Sequence, residues 1–116
     1  MDKPHSNKIT DLRYLISLSD GNEAFVKEMI QTFVIENPKE VKGLEQGIVQ
    51  NDFELIRLNA HKMKSTIPFV GIDILIGEEI NEIERLAKER SEIQKIQTLF
   101  SKVKTVCDKA AIELLN

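Results

Sequence analysis

Apolar residues recur at intervals of three and four along almost the whole chain, the mark of amphipathic helices, and clusters of turn-forming residues interrupt them. A first short helix is predicted over about residues 10–18. It would bury Leu12, Leu15 and Ile16, and Ser19-Asp20-Gly21-Asn22 would end it. Asp20 with Glu23 three residues on matches a capping box. It opens a long helical stretch over about 21–49, with Val26, Met29, Ile30 and Phe33 on one face and Val41, Leu44 and Ile48 continuing it. Pro38 lacks an N–H and crowds the preceding turn. It predicts a kink in one long helix, with a true break as the second choice, where Asn37 and Glu40 would cap a new helix.

Asn51 with Glu54 gives another cap signal, for a helix running to about Ile67. Phe53, Ile56, Ala60, Met63 and Ile67 are spaced 3, 4, 3 and 4, a single stripe aimed at a core. Pro68 and Gly71 close that helix or turn it sharply. The next helix spans about 72–89, with Ile72, Ile76, Ile80, Ile83 and Ala87 inward. Ser91 and Gln94 form a capping pair for the last helix, whose inward residues would be Ile96, Phe100, Val103, Val106, Ala110 and Leu114. Short connections between long amphipathic helices imply antiparallel neighbours. The expected fold is therefore all-α: an antiparallel four-helix bundle with a short extra N-terminal helix. Residues 1–116 form one domain, with 1–9 as a loose tail.

Composition narrows the function classes. The chain has 116 residues, 41% hydrophobic and 30% charged, which suits one small globular domain. A net charge of −3 without a broad basic footprint argues against a nucleic-acid partner. No apolar run approaches the ~20 residues of a membrane span. The first residues carry no signal-peptide pattern, so a cytoplasmic location is expected. Cys107 is the single cysteine, which rules out an internal disulfide. Its place beside an apolar stripe suits a small buried thiol.

The chemistry concentrates in Ala60-His61-Lys62-Met63-Lys64-Ser65. At 100° per residue, His61 lies roughly 120° from the centre of the Phe53–Ile67 stripe, on the solvent side. Leu58, Lys64 and Ser65 are its three- and four-residue neighbours. For a lone helical histidine, a solvated surface residue is the ordinary explanation. Yet Arg57, Lys62 and Lys64 make a local positive patch around it on an acidic domain. Leu58, exposed beside it, suits a docking surface. The only other histidine is His5, in the tail, so no zinc site is expected. Nothing marks an activated Ser or Cys for a hydrolase triad. Gly71 is most simply a turn glycine.

These residues resemble the histidine-containing phosphotransfer (HPt) domain family. Its hallmark is a small residue, the phosphorylatable His, a variable residue, an apolar residue, Lys, then a small residue, with Gly ten residues after the His. Here the run is Ala60, His61, Lys62, Met63, Lys64 and Ser65, then Gly71. Tyr14-Leu15 through Ser19-Asp20-Gly21, Phe25-Val26-Lys27-Glu28-Met29, and Phe33 to Pro38 are also similar to the family. The resemblance covers about residues 12–90.

The resemblance implies that His61 accepts a phosphoryl group from a receiver-domain aspartate and relays it to another receiver. Lys64 would hold phosphoryl oxygens, and Arg57, Leu58, Lys62 and Ser65 would meet the partner. Ser65 stands where the family often has Gly, and it is small enough to allow close approach. The chain would be a phosphoryl carrier with no kinase activity of its own, a monomer that binds no cofactor and takes Mg²⁺ from its partner. Expected partners are response-regulator receiver domains and a hybrid sensor kinase, with no nucleic acid and no membrane. A sensor-kinase dimerisation domain fits less well, because Lys62 stands where that class carries an acidic residue and no nucleotide-binding glycine box is present. A non-catalytic receiver-binding bundle is the remaining alternative.

Overall fold

The computed structural model describes residues 8–115, and its regular structure is helical: α1 Arg13–Ser19, α2 Glu23–Gln50, α3 Phe53–Thr66, a short 3-10 turn Ile67–Val70, α4 Asp73–Lys88 and α5 Ile93–Leu115. The fold is an all-α bundle. Helix α2 packs on α3 and α5, and α4 packs on the same two, which makes a four-membered ring. The short α1 lies across α2 and the 3-10 turn. Connections of a few residues force consecutive long helices to reverse direction. The expected stripes meet at the centre: Leu44, Ile56, Ala60, Met63, Ile76, Ile80, Ile83, Ile96 and Val103 are all sealed from solvent.

Several local expectations are corrected. Ile16 is exposed, because α1 is a single short helix that buries only Leu15 and Ser19. Pro38 lies inside one continuous α2 that runs to Gln50, so the expected single long helix forms and the alternative break does not. Pro38 lies on the exposed side of the helix, where the missing N–H removes one bond of the ladder without breaking the helix.

The caps are shifted as well. Asp20 and Asn51 do not cap the helices that follow them; each adopts a left-handed conformation that ends the helix before it (φ 51° and 53°). Asn22 and Asp52 take the N-cap positions, accepting from the Phe25 N–H at 3.0 Å and the Leu55 N–H at 3.0 Å. The connections are so short that a C-cap and an N-cap share them, and Asn and Asp tolerate the left-handed region better than most residues. The last helix begins at Ile93, with the Glu92 carbonyl accepting from the Lys95 and Ile96 N–H groups. Cys107 is buried between Val103 and Ala110, and Val106 is only partly covered.

Two glycine positions set how close the elements come. At Gly47 on α2, a Cβ would stand 2.6 Å from Ile56 Cγ1, so its absence brings α3 close. Gly71 has φ +79°, and a Cβ there would stand 2.6 Å from the Asp11 carbonyl oxygen. The segment before α1 is laid over that glycine, and the Asp11 N–H donates to the Val70 carbonyl at 2.9 Å. The same segment is fastened at its other end by Glu113, whose carboxylate accepts from the Ile9 and Thr10 N–H groups and the Thr10 hydroxyl. Ile9 is thus held and not loose, Lys8 before it is exposed, and residues 1–7 of the expected tail lie outside the described residues.

Candidate functional site

Helix α3 positions the candidate histidine. Asp52 caps its start, and Ile56, Ala60 and Met63 root it in the core. The helical turn then leaves His61 outward, with its side chain 64% exposed. The ring is not free to spin. Its Nδ1 lies 2.9 Å from Glu84 Oε2 on α4. A carboxylate only accepts, so Nδ1 is the donor in this contact, and Nε2 faces away from the carboxylate.

Glu84 holds both functional candidates. Its second oxygen, Oε1, accepts from Lys64 Nζ at 2.8 Å. The Glu84 side chain is only 13% exposed, tucked between the two helices. The Lys64 hydrogen bond is the main cause that lowers its carboxyl below the ordinary range; partial burial works against this, and His61 adds to the lowering. Glu84 therefore remains ionised near neutral pH and acts as a fixed anion under the imidazole.

The predicted docking residues divide. Leu58 is 41% exposed one turn before His61. Lys62 and Ser65 are exposed, and the Ser65 hydroxyl donates to the Lys62 carbonyl at 2.9 Å, which keeps it folded against its own helix. Arg57 is turned to Glu54, with Nη2 2.6 Å from Oε2, and its side chain is mostly covered. Lys64 is likewise paired, so the positive patch expected around His61 is largely neutralised within the protein. Gly71 lies at the end of the 3-10 turn and serves the backbone crossing already described. Among the described residues, no group of three or more His, Cys, Asp and Glu side chains is gathered to hold a metal ion.

Glu84 is the residue that sequence reasoning missed. A usable signal existed. Helices α3 and α4 form an antiparallel pair about the Gly71–Ile72 turn. His61 stands eleven residues before Ile72 and Glu84 twelve after it. Residues equidistant from such a turn face one another.

Comparison of the chain with protein-family models, with curated proteins and with solved structures returns no match. Among the described residues, no helix is long and apolar enough to cross a membrane.

Proposed function

We propose that this protein is a histidine phosphotransfer module, in which Nε2 of His61 takes a phosphoryl group from a receiver-domain aspartyl phosphate and passes it to a second receiver. The observation that carries this reading is the Nδ1 contact to Glu84, together with the exposure of the ring. In the step, the Nε2 lone pair forms the N–P bond as the aspartyl O–P bond breaks, and the aspartate carboxylate leaves. The ring becomes cationic, with its proton still on Nδ1, where the Glu84 anion stabilises it. Lys64 stands one helical turn away, close enough to turn from Glu84 to the phosphoryl oxygens. Positioning and charge compensation are most of what phosphoryl transfer requires of a carrier. Mg²⁺ comes with the receiver.

The test is direct. Receiver domains from the same genome are charged with a small acyl phosphate and mixed with the protein. Acid-labile label is expected on the wild type and not on His61→Gln. Equal labelling of the two would sink the reading. Tight receiver binding with no label transfer would favour the non-catalytic bundle instead.

A further inference from the structure

On the other flank of α3, a cleft of about 100 Å³ opens between α2 and the end of α3. Met29, Phe33 and Phe69 form apolar walls, and Thr66, Asn37 and Glu40 complete the lining. Two of these are anomalous. Asn37 is 2% and Glu40 8% exposed, yet among the described residues Asn37 Nδ2 and Glu40 Oε1 have no hydrogen-bond partner. The Asn37 amide faces the Cys107 sulfur closely enough to offset part of that thiol's burial, but not in hydrogen-bond geometry. A native bundle rarely leaves a carboxyl oxygen buried and unpartnered without a use for it.

We propose that this cleft binds a small organic cation, an ammonium or guanidinium group on a short apolar stem, with the Glu40 carboxylate as its counter-ion. The volume suits a ligand of about five heavy atoms, since a 150 Å³ apolar cavity accepts benzene. The stem lies between Met29, Phe33 and Phe69, and the phenyl faces attract the charged head. A water molecule would give Glu40 a hydrogen bond but no compensating charge.

The groups around Glu40 leave that charge uncompensated. Burial raises its carboxyl to about 7, and Glu36 on its own helix adds to the rise. Lys62 from α3 pulls the other way but closes no ion pair with it among the described residues. Cys107 from α5 is pushed up to about 12 and stays a neutral thiol. A bound cation would draw Glu40 into its ionised form, so binding releases a proton and strengthens as the pH rises through 7.

The experiment follows the Met29 methyl resonance in protein labelled at methionine methyls, with buried Met63 as internal control, during titration with n-butylammonium chloride. The expected result is a saturable shift at Met29 alone, with affinity about tenfold higher at pH 8 than at pH 6, the ratio set by an acid titrating near 7. Glu40→Gln keeps the shape and should abolish that pH dependence and weaken binding at least tenfold. The neutral isostere 1-butanol should bind at least tenfold more weakly. Equal binding of the alcohol, or an affinity unmoved by Glu40→Gln, overturns the proposal. Competition by N-acetyl-lysine amide would identify a protein side chain as an acceptable source of the cation; binding of the free amine without such competition would assign the site to small amines. None of these readouts involves phosphotransfer, so their failure leaves the role of His61 untouched.

Discussion

The carboxylate of Glu84 is divided between His61 and Lys64, one oxygen to each, at 2.9 and 2.8 Å. A single side chain on α4 therefore orients the ring of the proposed acceptor and sets the resting position of Lys64, the cation proposed to receive phosphate charge. Glu84→Gln leaves a group of the same size without the anion. Hydrogen bonds to charged groups are worth ~1.5–3 kcal/mol, so the rate of phosphoryl acceptance should fall roughly ten- to hundredfold. The ¹⁵N shifts of the imidazole are the second readout. In the wild type they should report a protonated Nδ1 and a free Nε2. In the variant they should move toward a mixture, which a purely structural role of Glu84 would not produce.

Lys64→Ala separates transfer from folding. The pair with Glu84 is at the surface on the lysine side, where an ion pair contributes ~0.2–1 kcal/mol. Denaturant unfolding should therefore change by no more than about 1 kcal/mol, while the acceptance rate at His61 drops by roughly tenfold or more. Unchanged transfer in this variant would remove Lys64 from the site.

Gly71→Ala and Gly21→Ala compare two left-handed glycines. Gly21 has φ +85° and open space around its missing Cβ, so alanine there carries only backbone strain, about 1 kcal/mol. Gly71 adds a collision with the Asp11 backbone, and its replacement should cost about 2–4 kcal/mol. Equal midpoints for the two variants in urea unfolding would mean that the Asp11 crossing is not held as described.

Two carboxylates give stability opposite dependences on pH. For Glu113, burial alone would raise the carboxyl, but the Ile9 and Thr10 donors outweigh it and lower it below 4.5. Its contribution is complete above 4.5 and disappears as the pH falls through the lowered value. The stability difference between wild type and Glu113→Gln should therefore shrink on acidification.

Glu40 is raised from 4.5 to about 7. The folded state holds its proton more tightly than the unfolded one, so stability declines as the pH rises above 4.5 and levels off beyond 7, by up to about 3 kcal/mol. Glu40→Gln should remove that decline, seen as a flatter unfolding free energy between pH 5 and 8.

The long helices were readable because burying one apolar stripe requires a period near 3.6, and that period is written into Phe53, Ile56, Ala60, Met63 and Ile67 as plainly as into Ile76, Ile80 and Ile83. The outward direction of His61 follows from the same geometry. The short α1 is less legible. Seven residues, about two turns, carry too few apolar positions to say which are covered, so the spacing points Ile16 inward while it lies outside. Cap residues were displaced by one or two positions, because Asp20 and Asn51 suit a left-handed helix end as well as an N-cap.

What the chain's order of residues determined by itself is therefore a set of amphipathic helices and the face on which each polar side chain stands, since both depend only on near neighbours along one helix. What only the tertiary structure decided is which polar groups meet. Glu84 reaches His61 and Lys64 across 23 and 20 residues of sequence, Glu113 reaches Ile9 across 104, and Glu40 is left buried with no partner on its enclosed oxygen among the described residues. Those pairings depend on the axial register and spacing of whole helices, which the glycines at 47 and 71 help to set through contacts with residues distant from them, and no local periodicity encodes such distances.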